Sequence, residues 1–175
     1  TKKRGRGSHI EKGSSARILN TTVGQSGGIG IDVTGASYAY IGVFIPRVQA
    51  LGPNIVRNNG GPGINIERTA GAWIVGNTIS GNKESGIAVH RNAQADVIGN
   101  TINANGGDGI TVSYNSGVNM DSEPRRDGPN KTTQPNAGAA IKCSVGGYVD
   151  GRRGTLARAK SSKELDKTCV DRVTL

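Results

Sequence analysis

A spacing of 23 residues governs the first two thirds of this chain: Gly63-Ile64-x-Ile66, Gly86-Ile87-x-Val89 and Gly109-Ile110-x-Val112 stand at that interval, as do Asn54, Asn77 and Asn100. The same step reaches back to Gly30 and Gly7, since Gly7-x-x-Ile10 matches Gly30-Ile31-x-Val33. One interruption, ten extra residues between Val33 and Asn54, breaks the register. A repeat this short cannot bury its own apolar face, so each copy must stack on the next and build one continuous core.

Within a repeat the apolar residues alternate over very short stretches. In Gly86-Ile87-Ala88-Val89-His90, Ile87 and Val89 point one way while Ala88 and His90 point the other, as a strand requires. A second strand centres on Ile74-Val75, with copies at Val97-Ile98 and Ile18-Leu19, and a third on Asn77-x-Ile79, with copies at Asn100-x-Ile102 and Asn54-x-Val56. Three strands separated by turns cannot pair inside one repeat. Each must therefore pair in parallel with its copy in the next, about 4.8 Å away. The recurring Asn marks a bend, where a side-chain amide can satisfy backbone groups that the corner leaves unpaired.

The segments GNTISGNKESGIAVH and GNTINANGGDGITVS resemble the parallel β-helix repeats of the pectin-lyase-like superfamily, over roughly residues 7–120. That resemblance implies an all-β fold, a right-handed parallel β-helix, here of about five 23-residue turns, and the two cysteines beyond it add the expectation of a C-terminal disulfide-linked extension. The superfamily contains polysaccharide lyases, hydrolases, epimerases and phage tailspikes, so the fold alone does not select an activity. The tail resembles C-terminal segments of secreted proteobacterial β-helix proteins without assigned activity.

The expected organisation is a basic segment at 1–6, the β-helix at 7–120 with an insertion at 37–49, a linker at 121–135 and a cap at 136–175. The run MDSEPRRDGPNKTTQP breaks the period with Pro, Gly and charge. Beyond it, Asp150-Gly151 predicts a hairpin, followed by a short helical stretch around Leu156 to Leu165. The open ends of such a stack invite association unless capped, and the basic N-terminus and the tail are the candidate caps.

The register arranges outward residues in columns: His9, Asp32, Asn65, Ala88, Thr111; then Glu11, Thr34, Glu67, His90, Ser113; then Lys12, Gly35, Arg68, Arg91, Tyr114. Glu67 and His90 become vertical neighbours, with Arg91 and Arg68 beside them. Glu67, His90 and Arg91 form the candidate catalytic set, because a carboxylate and an imidazole can work as acid and base while Arg holds a uronate carboxylate. Asp32, Asn65, Arg68 and Tyr114 are candidate substrate contacts on the same face. The plainer reading is surface charge pairing.

The polysaccharide hydrolases of the superfamily use clustered Asp residues. Asp32, Asp96 and Asp108 fall at different repeat positions and form no such cluster. Calcium would find only Glu67 and Asp32, so no metal and no cofactor are expected. The insertion carries Tyr38, Tyr40 and Phe44, half of the six aromatic residues, and could stack on a sugar, dock a partner or cover an open edge. Trp73 follows the Arg17 position and precedes Asp96, pointing outward on another face.

The net charge of +9 divides into +4 over residues 1–6, +1 over 7–120 and +4 over 121–175. Attraction to polyanions would belong to the ends. Residues Lys2, Lys3, Arg4 and Arg6 read as a solvated terminus. Nucleic-acid binding ranks last, because aromatic and basic residues do not interleave. No apolar run approaches the ~18 residues of a membrane span.

Cys143 and Cys169 are read as a disulfide rather than two free thiols, and as too few ligands for zinc. A disulfide implies a periplasmic or extracellular location. The chain lacks an initiator Met and a signal-peptide core, and so reads as a processed or excised piece of a longer product. Three functions follow: a secreted or periplasmic domain binding a polysaccharide or cell-envelope glycan, a polysaccharide lyase or epimerase, or a structural module of a surface fibre or phage tail that self-associates through the insertion or the open ends.

Overall fold

The computed structural model describes residues 5–42, 52–120, 128–156 and 162–174. The chain coils through stacked turns, each passing through up to three sheets. The first turn comprises β1 (Ser8–Ile10), β2 (Ser15–Ile18) and β3 (Thr22–Gly24); the second β4 (Ile31–Val33), β5 (Tyr38–Gly42) and β6 (Ile55–Arg57). The third comprises β7 (Ile64–Glu67), β8 (Gly71–Val75) and β9 (Thr78–Ser80); the fourth β10 (Ile87–His90), β11 (Gln94–Ile98) and β12 (Thr101–Asn103). The fifth has β13 (Ile110–Ser113) and β14 (Gly117–Asn119), and β15 (Ile141–Ser144), β16 (Tyr148–Arg152), β17 (Lys163–Leu165) and β18 (Val170–Thr174) follow.

Every pairing is parallel and joins copies in successive turns. The first sheet runs β1-β4-β7-β10-β13-β15-β17, the second β18-β16-β14-β11-β8-β5-β2 and the third β12-β9-β6-β3. Ile87 sits opposite Ile64 on one side and Ile110 on the other, and His90 opposite Glu67 and Ser113, so the 23-residue register holds. Columns such as Ile31, Ile64, Ile87, Ile110 and Ile141 are wholly buried. Each such side chain contributes roughly 1.5–3 kcal/mol by leaving water.

The glycines before the first-sheet strands are explained by close approach. A Cβ on Gly86 would lie 2.5 Å from Ile102 Cγ2 and 2.9 Å from Asn105 Nδ2. Their φ angles are not left-handed. The interior simply has no room for a methyl group there. Left-handed backbone is concentrated instead at the bend between the first and second sheets, at Arg68 (φ 56), Thr69 (φ 63), Arg91 (φ 59), Asn92 (φ 62), Tyr114 (φ 54) and Asn115 (φ 56).

The tail departs from expectation. The five turns predicted between Gly7 and Met120 are present, but β15 to β18 add two more instead of a hairpin: β15 pairs with β13, and β16 with both β14 and β18, all in parallel. Asp150 and Gly151 therefore lie inside β16, where Asp150 has ladder partners in both β14 and β18 and Gly151 has one in β18, in place of the pairing a hairpin would have supplied. Of the predicted helical stretch, residues 157–161 lie outside the described residues and Lys163–Leu165 is strand. Of the predicted linker, 121–127 lie outside them too, while Lys131 bridges Thr101 and Thr155 inside the stack.

The predicted insertion also shifts. Tyr38 and Tyr40 belong to β5, a regular strand between β2 and β8, rather than to a loop. Phe44 lies outside the described residues. Cys143 and Cys169 are disulfide-bonded, joining the sixth turn to the seventh.

Candidate functional site

The outer face of the first sheet gathers the polar columns. Along each strand alternate residues point outward, so the parallel register sets Asp32 beside Asn65, and Glu67 beside His90, one rung apart. Asn65 Nδ2 donates to Asp32 Oδ1 at 2.8 Å, and His90 Nε2 lies 2.8 Å from Asn65 Oδ1. Arg91 Nη1 donates to Glu67 Oε2 at 2.7 Å, with His90 Nε2 at 3.6 Å and Arg68 Nε 3.8 Å from Oε1. The left-handed bend after the strand turns Arg68 and Arg91 back toward that carboxylate.

Asp32 is fully buried behind Asn65. Arg6 Nε stands 2.7 Å and His9 Nδ1 3.1 Å from its Oδ2. Neither contact is a hydrogen bond, so among the described residues Oδ2 has close basic neighbours and no directed donor. Thr34 Oγ1, also buried, has no hydrogen-bond partner among the described residues. Such groups are costly unless something else satisfies them. Arg6 was expected in a solvated terminus. Its role was invisible because the register gives no position to a residue before the first strand.

A groove of about 510 Å³ opens over rungs two to five, lined by Asn65, Glu67 and His90 at its centre and by Ser85, Thr111 and Ser113 at one end. Ser85 Oγ and Thr111 Oγ1 are 2.7 Å apart, and Asp108 Oδ2 accepts from Thr111 at 3.3 Å. Ser85 was missed because it sits in a turn outside the strand columns. Burial is the main cause holding the His90 imidazole below its ordinary value of 6.5, against the raising influence of Glu67. At neutral pH the ring is an uncharged donor and acceptor. Tyr114 continues the Arg68 and Arg91 column one rung on, is 55% exposed, and does not line the groove. Among the described residues no three His, Cys, Asp or Glu side chains converge as a metal-holding group.

Tyr38 and Tyr40 lie apart from this site, on the second sheet. Tyr38, Tyr40 and Trp73 form consecutive edge-to-face contacts with centroids 5.2 and 5.3 Å apart. The aromatic and ionisable candidates thus occupy different faces.

A family profile described as "Right handed beta helix region" matches residues 6–123, more than half of the chain. The chain belongs to this right-handed β-helix family. Its coil also superposes on the crystal structure of a double mutant of the periplasmic alginate epimerase AlgG, with a TM-score of 0.59 and 14% sequence identity, over 97% of this chain and 47% of the epimerase chain. That likeness shows a shared β-helix fold, and this β-helix spans about half the length of the protein it superposes on. No curated protein matches the chain.

Proposed function

We propose that this β-helix domain binds an acidic polysaccharide along the outer face of its first sheet. The groove centred on Asn65, Glu67 and His90, with Arg68 and Arg91 at its margin, is the observation that carries the reading. It follows the stacking axis, so an extended chain can cross several rungs, and Arg can pair with uronate carboxylates in a bidentate fashion. The disulfide supports a secreted or periplasmic location. AlgG, named as a periplasmic alginate epimerase, makes alginate a natural first probe.

A second reading, a lyase or epimerase, is favoured by the neutral imidazole. His90 would take the proton from the sugar carbon next to the carboxylate while Arg91 neutralises the charge that develops there. Elimination of the neighbouring glycosidic oxygen would then give a lyase; return of a proton to the opposite face would give an epimerase.

Calorimetric titration with alginate and polygalacturonate oligosaccharides tests binding, and proton NMR in deuterium oxide tests exchange at the reacting carbon. R91A is expected to weaken binding at least about tenfold, the equivalent of one charge-assisted hydrogen bond. H90Q should leave binding within a few-fold and abolish any exchange. Binding of neither oligosaccharide sinks the proposal, and binding without exchange removes only the second reading.

A further inference from the structure

The outer face of the second sheet carries a different set of groups. In register along it stand Tyr38, Gly71, Gln94, Gly117 and Tyr148, and beside them Tyr40, Trp73, Asp96, Asn119 and Asp150. The two glycines are covered by their neighbours: a Cβ on Gly71 would meet the Tyr38 ring at 2.8 Å, and one on Gly117 would meet Gln94 Oε1 at 2.1 Å. A shallow groove of about 140 Å³ remains between the columns, with Tyr38 and Trp73 at one end, Tyr148 at the other, and Gln94, Asp96 and Asn119 along its middle.

We propose that this face is a second binding site, for an uncharged glycan chain lying parallel to the stacking axis. Tyr38 and Tyr148 are four rungs apart, roughly 19 Å at about 4.8 Å per rung. The length with so little depth suits an extended chain better than a compact small molecule. Aromatic rings at both ends offer apolar faces for the C–H side of a sugar ring. The carboxylate and amides between them offer acceptors and donors for its hydroxyls.

Charge decides the class of glycan. Asp96, whose Oδ1 accepts from Asn119 at 3.0 Å, is the ionisable group at the groove's centre and would repel a uronate. Asp150 accepts from Tyr148 Oη at 2.5 Å and from the Gly151 amide at 2.7 Å, which orients the tyrosine at the far end. Burial, with Tyr40 and Asp96 adding to it, pushes the Tyr38 phenol up to about 12, so it stays a neutral hydroxyl. Arginines of this face stand at its two ends, Arg17 over the Tyr40 ring at 5.3 Å and Arg172 over the Tyr148 ring at 5.8 Å, so the carboxylate of Asp96 sets the charge of the middle.

Trp73 is the single tryptophan of the sequence, so its fluorescence reports on this face. The test titrates the intact chain with cellohexaose, xylohexaose, maltohexaose and chitohexaose, and with hexamannuronate as the acidic counterpart. At least one neutral hexasaccharide should shift Trp73 emission saturably, D96A should weaken that response at least about tenfold, and R91A should leave it unchanged. D96A retains the reporter, and its circular dichroism confirms folding. The proposal is overturned if no neutral sugar shifts the emission, if D96A responds like the parent, or if hexamannuronate gives the same saturable response. It is equally overturned if emission follows protein concentration alone, which would make the face a contact between copies. Failure of the first-sheet site would show in the alginate titration, which R91A affects and D96A does not.

Discussion

The chemistry available at His90 is set by residues behind it. The buried Asp32 Oδ1 can only accept, so Asn65 turns its Nδ2 toward it and presents Oδ1 to the imidazole. Nε2 must then carry the proton, leaving the lone pair on Nδ1. Because burial depresses the folded-state value below 6.5, the unfolded chain binds a proton on this ring before the folded chain does. Stability therefore falls as pH drops below 6.5 and levels off once the folded ring also titrates. The slope is bounded at about 1.4 kcal/mol per pH unit for one proton, and partial solvent screening reduces it. Thermal melts across that window should show H90Q with a shallower slope than the parent. Identical slopes would mean that the imidazole does not titrate differently in the folded state.

At the scale of the element, the bends are held by two amide ladders. Along one corner Asn54, Asn77 and Asn100 each donate Nδ2 to the Oδ1 of the next, ending on Asn130, at 2.9–3.1 Å, and along another Asn59, Asn82 and Asn105 do so, ending on Asn136, at 2.8–2.9 Å. Asn77 also donates to Ile41 O and Val75 O, so Ala there leaves buried groups unpaired on three successive turns. N77A is expected to cost about 2–3 kcal/mol in urea unfolding, whereas N103A, half-buried on the fourth turn and outside the ladders, with its side chain bonded to Thr133 and Gln134, should cost about 1 kcal/mol or less. Equal costs would make the ladder energetically idle. The first ladder was legible at Asn54, Asn77 and Asn100 because the period carries it; the second keeps the same spacing over Asn59, Asn82 and Asn105 and could have been read the same way. Asn130 and Asn136 could not, since they lie 30 and 31 residues beyond their partners. The strand columns were legible for the same reason, which is why Glu67, His90, Asn65 and Asp32 meet as expected. Arg6 and Ser85 lie outside the strands, where spacing does not determine what a side chain touches. At Asp150-Gly151 local turn chemistry lost to parallel pairing, because neighbouring turns offer hydrogen bonds on both edges.

For the whole molecule, the question is how a stack of short strands keeps its last turns attached. The turns from β1 to β14 share the long isoleucine and valine columns, but β18 is largely exposed and β17 only partly buried. Their attachment depends on pairing with β15 and β16 and on the disulfide, which closes a loop with a sequence separation of 26. Loop closure of that size contributes roughly 3–4 kcal/mol by restricting the unfolded chain. In a repeat array such a loss is local, because each turn contacts only its neighbours. C169A should therefore strip hydrogen-exchange protection from β17 and β18 while β7 to β12 keep theirs. A uniform loss across the stack would show that the array unfolds as one cooperative unit. Native alkylation followed by mass measurement provides the companion check: the untreated protein should gain no label, and the reduced protein should gain two. Label taken up before reduction would show the thiols free, and would remove the support that the disulfide lends to a periplasmic or extracellular location.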